Sequence, residues 1–232
     1  VQTADGRLLG LSALDGKKIW EFKNDESLLT LRGTATPVID SGIVYTGFAS
    51  GKVVAIAIDN GALIWDRAIA LAKGVTEIER LVDVDGELTV TNDTVYGASY
   101  NGYLFAFDKR SGRARWRFES STYRATANGF GKVYIVEKDG RIYALDETDG
   151  DQRWEVAALL NRELSAPIVF GGYMMVADLK GWVHVLSQVD GSLVGRVRAD
   201  RSGVRVPMKS YDEQLYVYTD DGSLVSYQII QL

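Results

Sequence analysis

The chain has 232 residues, 46% of them hydrophobic and 25% charged, with a formal net charge of −5. This is ordinary globular composition, and the acidic balance argues against a nucleic-acid partner, since phosphate binding needs a basic surface. With no cysteine and one histidine, His184, disulfides, Cys/His zinc sites, thiol nucleophiles and most histidine acid–base chemistry fall away.

Absence of cysteine suits an oxidising compartment. No apolar run approaches the roughly 18 residues of a membrane span. Without an initiator methionine or signal peptide, Val1 opens in mid-pattern, and the chain reads as a piece of something longer.

Along the chain the same pattern returns. Gly6, Gly51, Gly102, Gly140 and Gly181 are each followed ten residues later by Gly16, Gly61, Gly112, Gly150 and Gly191. Four residues further on stand Trp20, Trp65, Trp116 and Trp154, with Gly195 in the fifth place. Six residues before the internal first glycines lie Tyr45, Tyr96, Tyr134, Met175 and, ahead of Gly222, Tyr216. The periods are 45, 51, 38, 41 and 41 residues, the length of a propeller blade.

Each repeat reads as four strands, A to D. Ser41-Gly42 and Gly171-Gly172 turn the A–B hairpin. The residue before each second glycine is Asp15, Asn60, Ser111, Asp149 or Asp190, and Asx-Gly predicts type I′ turns between C and D. Two residues past the first glycine the chain is aliphatic (Leu8, Val53, Leu104, Ile142, Val183, Leu224). Four past it the residue is mostly small (Gly10, Ala55, Ala106, Ala144, Val185, Ser226), so strand C offers a tapering face to a neighbouring sheet. The expected fold is all-β: a single propeller domain over residues 1–232 with about five and a half four-stranded antiparallel blades. It opens with the tail of a B strand plus C and D, and closes with A, B and C only. Trp20, Trp65, Trp116 and Trp154 on strand D are expected to pack between blades.

Three features fall outside the pattern. Lys109–Arg117 carries five basic residues in nine, which reads as a solvated turn leading into a charged edge strand. Trp182 lies off register, at the surface or in packing. His184 reads as a satisfied core or edge histidine rather than a base.

Two D-to-A connections carry the functional signal. ESLLTLRGTATP (26–37) holds three leucines where a loop is ordinarily polar. TEIERLVDVDGELTV (76–90) belongs to a connection with about thirteen extra residues: Trp65 to Tyr96 spans 31, against 18 from Trp116 to Tyr134. All D-to-A connections emerge on one face of a propeller, so Leu29–Arg32 and Glu77–Asp85 should be neighbours on one rim. The residues alone leave two readings open. Apolar anchors, one arginine and the carboxylates Glu77, Glu79, Asp83 and Asp85 suit an interface, and the extended segment could add as a strand to a partner. Alternatively, Leu28 or Leu29 plugs a gap between blades, and Asp83 or Asp85 caps turns or pairs with Arg32 or Arg80. The segment from Asp83 to Glu87 lacks the third Asx and distant Glu of a calcium loop, and nothing defines a glycosidase cleft.

The G-x9-G-x3-W repeat with its preceding tyrosine resembles the PQQ-like propeller repeat. LTLRGTATPV (29–38), TEIERLVDVDGELTV, SYNGYLFAFDKRSG (99–112) and the ending DDGSLVSYQI are similar to stretches of the BamB family, propeller lipoproteins of the outer-membrane β-barrel assembly machinery. The resemblance covers the whole chain and implies the C-terminal three-fifths of an eight-blade ring, with the N-terminal blades and lipid-anchor region lying outside it. It also implies a non-enzymatic scaffold without cofactor or metal, at the periplasmic face of the outer membrane of a Gram-negative bacterium. The partner implied is the set of periplasmic POTRA domains of BamA, with unfolded outer-membrane protein clients a further possibility. The family attributes BamA binding to positions matched here by Leu29, Leu31, Arg32, Asp83 and Asp85, with Thr30, Glu77, Glu79 and Arg80 as rim contributors. Thr30 replaces a Ser-like residue, and E-I-E-R replaces E-I-D-R. The alternative is a quinoprotein dehydrogenase, which shares the repeat but carries a Ca²⁺-binding carboxylate set, a catalytic Asp and usually a vicinal cysteine pair.

Overall fold

The computed structural model describes residues 1–3, 5–24, 35–48, 50–69, 86–99 and 102–230. It divides into two compact units, Val1–Ala125 and Thr126–Leu232.

The first unit holds three antiparallel sheets. A hairpin pairs β1 (Arg7–Leu11) with β2 (Lys18–Lys23), and Gln2 adds one bridge to Leu8 where a B strand would run. A four-stranded sheet follows in chain order: β3 (Val38–Asp40), β4 (Ile43–Gly47), β5 (Lys52–Ala57) and β6 (Leu63–Ala68). The next is β7 (Thr89–Val90), β8 (Thr94–Ala98), β9 (Gly102–Asp108) and β10 (Ala114–Ser120). In the second unit β11 (Ala127–Gly129), β12 (Lys132–Val136), β13 (Ile142–Asp146) and β14 (Gln152–Val156) form one sheet. A second comprises β15 (Ile168–Phe170), β16 (Tyr173–Ala177), β17 (Trp182–Ser187) and β18 (Leu193–Arg198). The last has three strands, β19 (Lys209–Tyr211), β20 (Gln214–Tyr218) and β21 (Leu224–Tyr227). These are the blades and part-blades that the repeat predicts, each a meander in sequence order.

Alternation builds the core. On β5, Val54 and Ile56 pack with Leu8, Val44 and Phe48 toward the first hairpin. Val53 and Ala55 point the other way and pack with Tyr45, Trp65, Leu88, Val95 and Phe107. A strand buried on both faces carries apolar residues on both, as β5 does from Val53 to Ala57.

The small residue on strand C has a specific cause. Gly10, Ala55, Ala106 and Ala144 are the cross-strand partners of Trp20, Trp65, Trp116 and Trp154. A Cβ on Gly10 would lie 2.2 Å from the Trp20 ring, so the indole needs a minimal neighbour. In the fifth repeat the sizes exchange, with Val185 opposite Gly195.

Trp20, Trp65 and Trp154 also reach forward. Trp20 Nε1 donates to Ile58 O (2.6 Å), Trp65 Nε1 to Lys109 O (3.0 Å) and Trp154 Nε1 to Gln188 O (3.2 Å), in each case in the next sheet. Trp116 is 8% exposed and tilts against Tyr96 at 5.8 Å.

The C–D turns differ from expectation. Gly16, Gly61, Gly112, Gly150 and Gly191 have φ between 65° and 78°, but the residues before them do not have positive φ, so these are not type I′ turns. Each glycine N–H instead donates to the carbonyl four residues back, closing one helical turn, as Gly61 does to Ala57 (3.0 Å). The preceding Asx or Ser acts through its side chain: Asn60 Oδ1 accepts from Ala62 N at 3.0 Å, and Asp149 Oδ1 from Asp151 N at 2.9 Å. A register shift in each C–D pair absorbs the extra length. Positive φ at both central residues belongs to the A–B hairpins, at Ser41-Gly42, Phe130-Gly131, Gly171-Gly172 and Asp212-Glu213.

A candidate docking rim

Leu28, Leu29, Thr30, Leu31 and Arg32, and Glu77, Glu79, Arg80, Asp83 and Asp85, lie outside the described residues. The structure describes the roots of the two connections that carry them. The first leaves β2 at Asn24, which is 5% exposed, donates its backbone N–H to Gly6 O (3.1 Å) and donates Nδ2 to Ser50 Oγ (2.8 Å). The second leaves β6 at Ile69, whose N–H donates to Gly51 O at 2.9 Å. The residues from which the two connections leave, Asn24 and Ile69, are therefore held by neighbours in sequence, Ser50 and Gly51, at the turn between β4 and β5.

The return points are equally fixed. Ala35 is 1% exposed. Leu88, 3% exposed, re-enters the cluster that holds Ile69, so both ends of the longer connection grip one core. A Cβ on Gly97 would touch both Leu88 and Ile69, at 3.1 and 3.4 Å, so the small residue on β8 makes that grip possible. Gly86 closes the longer connection against the next D-to-A segment: a Cβ there would lie 2.9 Å from Tyr123 O and 3.3 Å from Arg124 O. Tyr123 is 44% exposed, and the Arg124 guanidinium stacks 4.5 Å from its ring centre. This aromatic–arginine pair has no counterpart in the repeat pattern. Its signal in sequence was its place in the third D-to-A connection, after the leucine-rich and acidic ones.

The basic run is only partly solvated. Lys109 is 8% exposed, ion-paired with Asp40, and donates to Thr91 O at 3.1 Å. Arg115 bridges Asp93 and Asp108, both at 2.9 Å, holding the Asp108 carboxyl well below the usual carboxylate range. Arg117 lies 4.8 Å over Tyr103.

His184 is 1% exposed and shares a carboxylate. Asp178 Oδ2 lies 2.9 Å from both His184 Nε2 and Arg162 Nη1, and Oδ1 accepts from the amides of Lys180 (2.9 Å) and Trp182 (3.0 Å). Burial alone raises the Asp178 pKa; the hydrogen bonds from His184, Trp182 and Lys180 outweigh it, and the net direction is down. A cavity of about 240 Å³ lined by Asn161, Arg162, Glu163 and Lys180 adjoins this carboxylate. Trp182 lies beneath Arg196 and Arg198, at 4.6 and 5.3 Å. No group of three or more His, Cys, Asp or Glu side chains converges as a metal site among the described residues.

Residues 1–156 and 138–230 match the family model described as outer membrane protein assembly factor BamB. The chain belongs to the BamB family. The BamB of Pseudomonas aeruginosa is 44% identical over 202 residues, covering 87% of this chain and 53% of that protein. The crystal structure of BamB from Moraxella catarrhalis superposes with a TM-score of 0.89 at 30% identity, over 97% of this chain and 67% of that one. The chain spans about half the length of the curated BamB relatives it matches. A quinohemoprotein alcohol dehydrogenase from Pseudomonas putida HK5 superposes with a TM-score of 0.68 at 16% identity, covering 89% of this chain and 40% of that one, a likeness of fold alone. The sheets described above are thus blades of a BamB-type β-propeller.

Proposed function

We propose that this chain carries the docking rim of a non-enzymatic scaffold in outer-membrane protein assembly, at the periplasmic face of the outer membrane. Its partner in this reading is the periplasmic POTRA region of BamA, engaged through Leu29, Leu31 and Arg32 from one connection and Asp83 and Asp85 from the next. Thr30, Glu77, Glu79 and Arg80 line the same rim. Family membership supports the assembly role. The observation that carries the docking assignment is the shared anchorage: Asn24 bonds Ser50 and Ile69 bonds Gly51, so the departure points of both connections are held at one turn. Apolar anchors beside an arginine, with carboxylates adjacent, suit a water-excluding centre with a charged rim.

The test is binding of the full-length protein to the purified periplasmic region of BamA. Replacing Leu31 and Arg32 together with alanine should weaken binding by at least about tenfold, as loss of hot-spot side chains does. Unchanged affinity in a protein of unchanged melting temperature would remove the assignment.

A further inference from the structure

We infer that Tyr123, stiffened by Arg124, is a further anchor of the docking rim, so that the partner surface extends across three successive D-to-A connections. The inference rests on the docking reading above and adds residues that neither the leucine-rich nor the acidic motif contains.

Three observations carry it. First, position. Gly86, the residue after Asp85, abuts the backbone of Tyr123 and Arg124 so closely that a Cβ would lie 2.9 Å from Tyr123 O. The end of the acidic connection and the start of the third are therefore packed together, and a glycine is what permits it.

Second, presentation. Thr122 is buried at 1% exposure and its Oγ1 accepts from Arg124 N at 3.1 Å, which fixes the backbone on both sides of Tyr123. Tyr123 itself is 44% exposed, whereas the repeat tyrosines Tyr45, Tyr96 and Tyr134 are at most 1% exposed. An aromatic ring held on a fixed backbone loses little freedom when covered, because it has only two side-chain torsions to order.

Third, chemistry. The guanidinium of Arg124 stacks on the ring at 4.5 Å, which limits the ring's rotamers before any partner arrives. Tyrosine and arginine are the residue types that dominate interface energetics when water is excluded. The partner chemistry follows: an apolar seat for the ring, and a hydrogen-bond acceptor at its edge for the phenol or the guanidinium.

The experiment uses the full-length protein and the purified periplasmic region of BamA, with Leu31→Ala/Arg32→Ala measured in parallel. Tyr123→Ala should weaken binding at least about tenfold, and Tyr123→Phe should stay within about threefold of wild type because the ring is retained. If Tyr123→Ala binds as wild type while the Leu31/Arg32 variant loses binding, the third anchor is wrong and the docking reading stands. If neither variant loses binding, both fall. If only Tyr123→Ala loses binding, the third connection docks the partner and the leucine-rich one does not. Should Tyr123→Ala misfold, a photo-reactive phenylalanine analogue at position 123 gives an independent answer. It should crosslink to BamA, while the same analogue at Leu14, 96% exposed in the turn at the other end of the β1–β2 hairpin, should not. No crosslink from 123 overturns the inference.

Discussion

Gly112 lies against the Trp65 ring with no room for a Cβ: one built there would be 2.6 Å from the indole, whose Nε1 donates to Lys109 in the same turn. Gly61 over Trp20 and Gly191 over Trp154 repeat the contact. Gly61, Gly112 and Gly191 thus have two duties, reversing the chain at positive φ and admitting the preceding blade's tryptophan.

The two duties separate by mutation. Gly16 has φ 71° but nothing within 4 Å of a built Cβ, so Gly16→Ala should cost about 1 kcal/mol from backbone strain alone. Gly112→Ala adds a collision with a buried ring and should cost about 3 kcal/mol or more. Urea denaturation of the two variants measures the difference; equal losses would show that the glycine is needed only for φ.

Two repeat tyrosines that look alike in sequence should respond differently to loss of the hydroxyl. Tyr134 OH donates to Gln188 Oε1 at 3.0 Å, whereas Tyr45 OH is buried without a partner among the described residues. Tyr134→Phe should cost about 1 kcal/mol, and Tyr45→Phe should be neutral or stabilising, because it removes an unsatisfied buried group. Thermal melts of both variants check this.

Alkaline stability follows from the same pair. Burial pushes both phenols up to about 12, with Asp40 adding to the shift at Tyr45. A raised folded pKa favours the protonated fold, so this contribution is complete below the ordinary tyrosine pKa of about 10 and is lost as pH rises toward 12. Wild type should lose stability across that window, and Tyr45→Phe/Tyr134→Phe should lose less. A parallel decline would place the alkaline sensitivity elsewhere.

Asp178 should contribute to the second unit's acid response. Its folded pKa is depressed, so its contribution is present above about pH 4 and is lost as pH falls through the folded value. Asp178→Ala leaves Arg162, buried His184 and two amides without their acceptor, and should cost about 3–5 kcal/mol near neutral pH. Asp178→Asn should flatten the stability profile below about pH 4, readable by denaturant titration at several pH values.

Much of this was legible in sequence because the fold is written in a short period. The spacing from Gly51 to Gly61 to Trp65 marks strand C, turn and strand D, and the partial blades at each end follow by counting. The turn type was misread because Asn60-Gly61 and Ser41-Gly42 are both turn dipeptides. Only backbone geometry shows that Asn60 serves through its side chain and Ser41 through its own positive φ. Reading Gly10 and Ala55 as a taper caught their size and missed its cause, the indole across the strand. The Asp178–His184 pair spans a B–C turn and becomes visible once His184 pairs with Val176 across the strands and its Nε2 meets the Asp178 carboxylate. At the rim, the motif residues lie outside the described residues, and the hold that Ser50 and Gly51 have on the two departure points was not legible, since Ser50-Gly51 looks like an ordinary turn.

The Ser50–Gly51 root has a consequence for how binding energy accumulates. On the docking reading, a partner that captures one of two segments whose first residues are held at one dipeptide meets the other at high effective concentration. The rotational and translational cost of association is then met once, at the first contact, and later contacts act as intramolecular ones. Affinity built in this way depends on the spacing of the anchored ends as well as on the motif residues between them. On that reading Asn24→Ala, which removes the bond to Ser50 and changes no motif residue, should weaken binding to the periplasmic region of BamA.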